Sequence, residues 1–266
     1  MDKLTVLLVQ HDIVWENPEA NRQHLTELLK GVSDVDLIVL PEFFNTGFSV
    51  NNRDLAENSD GPTVQWMKQL AKQTGAVVCG TLPIKEEGKL YNRGFYIGAG
   101  GILGFYNKRH LFSPGDEQLL YTPGRENICI HVKSFNIRPQ ICYDLRFPVW
   151  SRNRLTSTGF EYDVLIYHAN WPDPRGEVWR QLLIARALEN QAYVIGVNRI
   201  GTDGQGMTYS APALAIDYKG RIMAEGKSGV EDLLRVELDW ESLSAFRKKF
   251  NVSRDWDDFT LNIEPS

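Results

Sequence analysis

The chain has 266 residues, 42% of them hydrophobic and 24% charged, with a net charge of −5 and a pI near 5.6. This is an ordinary globular composition, and its acidic balance excludes a broad basic face for nucleic acid or anionic lipid. No run approaches the roughly 18 apolar residues of a membrane span, the first residues lack the features of a secretory leader, and three cysteines without metal-ligand spacing suit free thiols in a cytoplasmic protein.

Residues 4–9 are continuously apolar and predict a buried strand. Asn17-Pro18-Glu19 then opens a helix, with Asn17 as cap and Pro18 at the first helical position, ending near Gly31. A second buried strand at 35–40 is stopped by Pro41. Pro62–Thr74 carries Val64, Met67, Leu70 and Ala71 at helical spacing, with Gly75 as its stop. Strands follow at 76–84, 91–97 and 102–106, the last two joined by a hairpin through Gly98-Ala99-Gly100-Gly101.

The second half repeats the theme. Strands are expected at 128–131 and 137–142, a helix at 148–156 and a strand at 164–168. After the loop 170–175 come an apolar helix at 177–190 and a strand at 193–198. Strands at 213–216 and 221–224 flank the turn Asp217-Tyr218-Lys219-Gly220, and residues 233–250 supply the last strand and helix. No linker or low-complexity run interrupts the alternation, which predicts one α/β domain over 1–266. Hairpins among the βα units make its sheets mixed.

Three reactive side chains stand just after apolar strands, where open α/β sheets place their ligands. They are Glu42 after Leu40-Pro41, Lys108 after 102–106, and Cys142 after 137–141. Each also has a plain structural explanation: solvated acid, solubilising lysine, small buried hydrophobe. A nucleophilic thiol needs a base, and on pattern alone His110 and His168 rival Glu42 for that role. The five histidines show no metal-type spacing. Gly98–Gly101 lies between strands and is no phosphate cradle, and there is no Gly-x-Ser-x-Gly elbow.

Leu-Pro-Glu42-Phe-Phe, Tyr-Asn-Lys108-Arg-His-Leu-Phe and Ile-Cys142-Tyr-Asp-Leu-Arg-Phe-Pro, in this order, resemble the nitrilase (carbon–nitrogen hydrolase) superfamily. The resemblance continues through Asn170-Trp171-Pro172 and residues 185–193, covers essentially the whole chain, and is greatest to the omega-amidase branch. It implies a four-layer-forming αββα sandwich, a homodimer, and cofactor-free, metal-free hydrolysis of a small-molecule amide. Alternatives within the superfamily are a nitrilase or an N-carbamoyl amide hydrolase. Outside catalysis, the alternative is a binding protein on the same fold.

The resemblance further implies Cys142 as nucleophile, Glu42 as base, and Lys108 with the backbone N–H of Tyr143 as oxyanion donors. Glu117, from Asp116-Glu117, supports them. Lys108 is expected to favour the thiolate of Cys142. The substrate would be the monoamide of a small dicarboxylic acid, such as 2-oxoglutaramate. Arg175 is the candidate for its far carboxylate, and Phe44, Phe112 and Trp171 for the pocket wall. Arg146 is expected to pair with Asp144. Trp179, Leu182, Leu183 and Ala187 offer either a dimer face or filling for the chain's own core.

Overall fold

Alternation along the first strand sets the layering. In β1 (Lys3–Gln10), Leu4, Val6 and Leu8 point one way and Leu7 and Val9 the other, and all five are buried. A strand buried on both faces needs a layer on each side. The computed structural model, which describes residues 2–49, 51–157 and 159–263, supplies a second sheet on one side and helices on the other.

The first sheet is built from β1, β2 (Leu37–Val39), β3 (Val77–Glu86), β4 (Lys89–Gly98), β5 (Gly101–Asn107) and the last strand, β16 (Asp232–Asp239). Their order is β16-β1-β2-β3-β4-β5, with β1, β2 and β3 parallel. In the second sheet, β6 (Ile130–Val132), β7 (Phe135–Ile141), β10 (Val164–Ala169), β11 (Tyr193–Asn198), β14 (Leu214–Ile216) and β15 (Ile222–Glu225) run in the order β15-β14-β11-β10-β7-β6. Here β7, β10 and β11 are the parallel centre.

Leu4, Val6, Leu8, Val39 and Tyr96 of the first sheet interleave with Ile137, Ile166, Ile195 and Val197 of the second in a shared core. Outside the first sheet, Leu25 of α1 (Pro18–Leu28) and Val64, Met67 and Leu70 of α3 (Pro62–Thr74) cover Leu7, Val9 and Ile38. Between those helices, α2 (Asn52–Leu55) is a single turn. Outside the second sheet, Trp179, Leu183 and Ala187 of α5 (Gly176–Asn190) cover Leu165, Tyr167 and Val194. The result is the αββα order implied by the resemblance.

Local signals account for several boundaries. Asn17 caps α1, its side chain accepting from Ala20 N at 3.0 Å. Gly75 ends α3 in the left-handed region at φ 74. The β4–β5 hairpin closes with Gly98 opposite Gly101. One expectation is corrected. The helix over 148–156 stops as α4 (Pro148–Ser151), because Asn153 is captured: its N–H donates to Asn190 Oδ1 and its amide to Tyr162 O. The chain then forms a small ribbon from β8 (Leu155–Thr156) and β9 (Gly159–Phe160). On α5, of the two roles offered, Trp179, Leu183 and Ala187 take core filling, fully buried in the chain's own core, while Leu182 packs against it partly exposed. A second ribbon, β12 (Gly201–Thr202) with β13 (Thr208–Tyr209), and α6 (Trp240–Lys249) complete the chain.

Candidate active site

The ends of β2, β5, β7 and β10 converge at one edge of the sandwich, and each delivers a polar residue into it. Past β2, Leu40-Pro41 leads to Glu42, which is fully buried. Lys108 follows β5 and is 1% exposed. Its position is fixed by backbone bonds, Lys108 N donating to Asn92 O at 2.9 Å and Gly124 N to Lys108 O at 2.8 Å. A Cβ at Gly124 would lie 2.0 Å from Asn107 O, so only glycine allows this approach.

The Lys108 ammonium donates to Glu42 Oε1 at 2.8 Å and to Glu117 Oε2 at 2.9 Å. Asn92 of β4 donates its amide to both acids, at 2.8 Å to Glu42 Oε1 and 3.1 Å to Glu117 Oε1. Phe112 N caps Glu117 Oε2 at 2.5 Å. The second sheet contributes Asn170, whose N–H reaches Glu42 Oε2 at 2.9 Å. Burial opposes the charge on Lys108, but Glu117, Glu42 and Cys142 outweigh it and hold the ammonium well above the usual lysine range. Two carboxylates share this one cation. Burial raises Glu117 above its ordinary value, with Lys108 opposing and Glu42 assisting.

Cys142 begins a 3-10 turn (Cys142–Arg146) with φ at 43, a left-handed backbone rare for a residue with a Cβ. Asp144 holds that turn. Its buried carboxylate accepts from Ile141 N, from Tyr106 Oη, and from His110 N and Nδ1, all at 2.8–2.9 Å. The bonds tie the cysteine turn to the segment after β5, bringing Cys142 to Lys108. Asp144 makes no ion pair with Arg146, contrary to the expected pair; Arg146 instead lies over the Trp171 ring, 5.1 Å from its centroid.

Burial and then Glu42 push the Cys142 thiol well above its ordinary range, while Lys108 pulls it down. Lys108 thus acts on the thiol in the expected direction, towards the thiolate, but burial and Glu42 oppose it more strongly. His110 stacks on Phe147 at 3.8 Å with Nδ1 on Asp144. His168 is enclosed between Leu40 O and Tyr96 Oη. Both rings are thus engaged with other partners, whereas Glu42 lies against the thiol.

Above Cys142 opens a cavity of about 340 Å³ whose walls include Lys108, Phe48, Phe112, Tyr143, Arg146, Trp171, Arg175 and Tyr209. Phe112, Trp171 and Arg175 thus stand where expected, and Tyr143 lies beside the cysteine. Phe44 does not. Its ring is fully buried in the layer beneath α3, 5.9 Å from Trp66, and Phe48 takes the wall position. Arg175 lies over the Phe112 ring at 5.4 Å. Asp203, also at the wall, is committed to its own loop through Gln205 N, Met207 N and Tyr209 Oη. Two guanidiniums therefore rest on aromatic rings with no carboxylate partner among the described residues. Sequence reasoning gave no role to Asn92, placed Asn170 only in the Asn170-Trp171-Pro172 motif, and offered Asp144 only as a partner for Arg146. The signal for Asn92 was an amide on the face of β4 that it shares with Leu90 and Tyr96, both buried.

A thiol beside a buried carboxylate–ammonium–carboxylate cluster, at the floor of a small cleft on an αββα sandwich, defines a hydrolase of the cysteine–glutamate–lysine class. The carbon–nitrogen hydrolase family profile matches residues 5–248, and the chain belongs to that family. It is 39% identical to the omega-amidase YafV of Escherichia coli (strain K12) over 98% of this chain and 100% of that protein. It is 34% identical to the 2-oxoglutaramate amidase of Bacillus subtilis (strain 168), over 95% and 97% of the two chains. Its fold matches XC1258 from Xanthomonas campestris, a CN-hydrolase superfamily protein with an arsenic adduct in the active site, with TM-score 0.96 and 38% identity over 98% and 100% of the chains. The chain is a hydrolase acting on carbon–nitrogen bonds of amides.

Proposed function

We propose that the chain is an omega-amidase, releasing ammonia from the terminal amide of a small dicarboxylic acid monoamide such as 2-oxoglutaramate. The observation that carries this is the pair Arg146 and Arg175 in the wall of the Cys142 cleft without carboxylate partners among the described residues. An anionic far end of the substrate supplies the missing partner. The names of the two relatives support the same reading.

In this reading the resting thiol is protonated. As Cys142 Sγ attacks the amide carbon, its proton passes to Glu42, and the carbonyl oxygen becomes an oxyanion between the Lys108 ammonium and the Tyr143 N–H. One such donor is worth about 3 kcal/mol in a transition state. Collapse breaks the C–N bond, the proton on Glu42 leaves with ammonia, and a thioester remains on Cys142. Water then attacks the thioester, giving its proton to Glu42. The C–S bond breaks, the proton returns to sulfur, and the acid departs. Glu117 and Asn92 hold Lys108 and Glu42 in register. The steps above use no metal or organic cofactor.

Ammonia release is the test. Cys142→Ala is expected to lose turnover on 2-oxoglutaramate with its circular dichroism unchanged, and retained activity overturns the mechanism. With Cys142 intact, Arg146→Ala and Arg175→Ala are expected to lower the rate on 2-oxoglutaramate at least about tenfold more than on a neutral short amide. If neither changes that ratio, the carboxylate is held elsewhere.

A homodimer and a cytoplasmic setting complete the proposal. The first rests on the family resemblance and on Leu188, an α5 residue that is 51% exposed. The second rests on three free cysteines. No helix among the described residues is long and apolar enough to cross a membrane.

A further inference from the structure

Away from the cleft, the end of β1 carries a buried histidine without a complete set of partners. His11 is fully buried. Its Nδ1 lies 2.9 Å from Asp12 O, which fixes Nδ1 as the N–H and leaves the lone pair on Nε2. That nitrogen has no hydrogen-bond partner. A buried polar atom left this way costs about 1–3 kcal/mol.

His24 of α1 and Glu231, just before β16, stand beside it. One ligand atom from each of the three residues lies within 4.8 Å of the other two. Asp12 orients two of them with its own peptide groups: its carbonyl accepts from His11, and its N–H donates to Glu231 Oε1 at 3.1 Å. Metal-bound imidazoles are oriented by such carbonyl contacts. The three residues are far apart in sequence, so no spacing announces them.

We propose that His11 Nε2, His24 Nε2 and Glu231 form a binding site for a zinc-type divalent ion that clips together the end of β1, α1 and the approach to β16. Two imidazoles and a carboxylate are a ligand set that zinc accepts in four-coordinate sites, with water in the remaining position. His24 Nε2 and Glu231 Oε1 are 2.6 Å apart and share a proton. On metal binding His24 carries its proton on Nδ1 instead, and Nε2 and Oε1 turn to the ion. The site is separate from the Cys142 cleft and does not depend on the proposed substrate.

Calorimetric titration of the full chain with zinc chloride tests this, with Cys129→Ser and Cys142→Ala in every sample so that no accessible thiol competes. The expected result is one zinc per chain, with affinity falling at least about tenfold in His24→Ala and in Glu231→Gln. Cobalt(II) in place of zinc should give visible d–d bands that His24→Ala lacks. Zinc should raise the melting temperature of the parent and not of either variant. The two substitutions are on the surface, so folding does not confuse the outcome, as it can for His11. Equal binding by parent and His24→Ala, loss of binding in His131→Ala instead, or no stoichiometric zinc at all overturns the proposal.

Discussion

Lys108 is the residue on which the site's electrostatics turn. Its ammonium is more strongly held in the folded chain than at the ordinary lysine value of 10.5. The folded state therefore binds this proton more tightly than the unfolded state does. The resulting stability is complete below 10.5 and is lost as pH rises through the folded value. Lys108→Met should remove that alkaline dependence, seen as a flatter plot of urea midpoint against pH. It should also slow alkylation of Cys142 by iodoacetamide, because Lys108 is the group that pulls the thiol down against burial and Glu42. An unchanged alkylation rate would confine Lys108 to the oxyanion. Glu42, Lys108 and Cys142 were legible as strand-end residues, and the resemblance gave them roles. The charge state of the thiol was not legible, because it depends on burial and on the nearness of Glu42, which only the fold sets.

At the scale of elements, β10 is stitched to the first sheet through His168. Its Nδ1 donates to Leu40 O at 2.6 Å, and Tyr96 Oη donates to its Nε2 at 3.1 Å. Burial lowers the His168 pKa to about 4 from 6.5. The unfolded chain therefore takes up a proton that the folded chain refuses. Stability is full above 6.5 and falls as pH drops towards 4, by about 3 kcal/mol at the limit. His168→Asn keeps a donor near Leu40 O and cannot protonate there, so its urea midpoint should change less between pH 7 and pH 4.5 than that of the parent. An identical decline in both proteins would assign the acid sensitivity to other groups. Element positions followed from periodicity and punctuation: Asn17, Gly75 and the Gly98–Gly101 hairpin each mark a boundary that the fold keeps. The helix expected through 156 failed because its end is decided by Asn153 bonding to Tyr162 and Asn190, contacts distant in sequence.

For the molecule as a whole, the shared core between the sheets makes one cooperative unit. Urea unfolding followed by far-UV circular dichroism and by tryptophan fluorescence should give coincident transitions, whereas separated midpoints would show that the layers come apart singly. Light scattering should return twice the 30.3 kDa chain mass if the family's dimer forms, and a single chain mass would remove that proposal. The layering was legible because β1 is apolar on both faces, but the pairing of its first-sheet edge with β16, more than 200 residues later, was not. That long return has a consequence for the newly made chain. Glu42 and Lys108 emerge from the ribosome first, without a nucleophile. Cys142 and Asn170 follow, and the first sheet gains its last edge strand only when β16 arrives at the end. Until then β1 presents an unpaired strand edge, the kind of surface on which unfinished chains stick to one another.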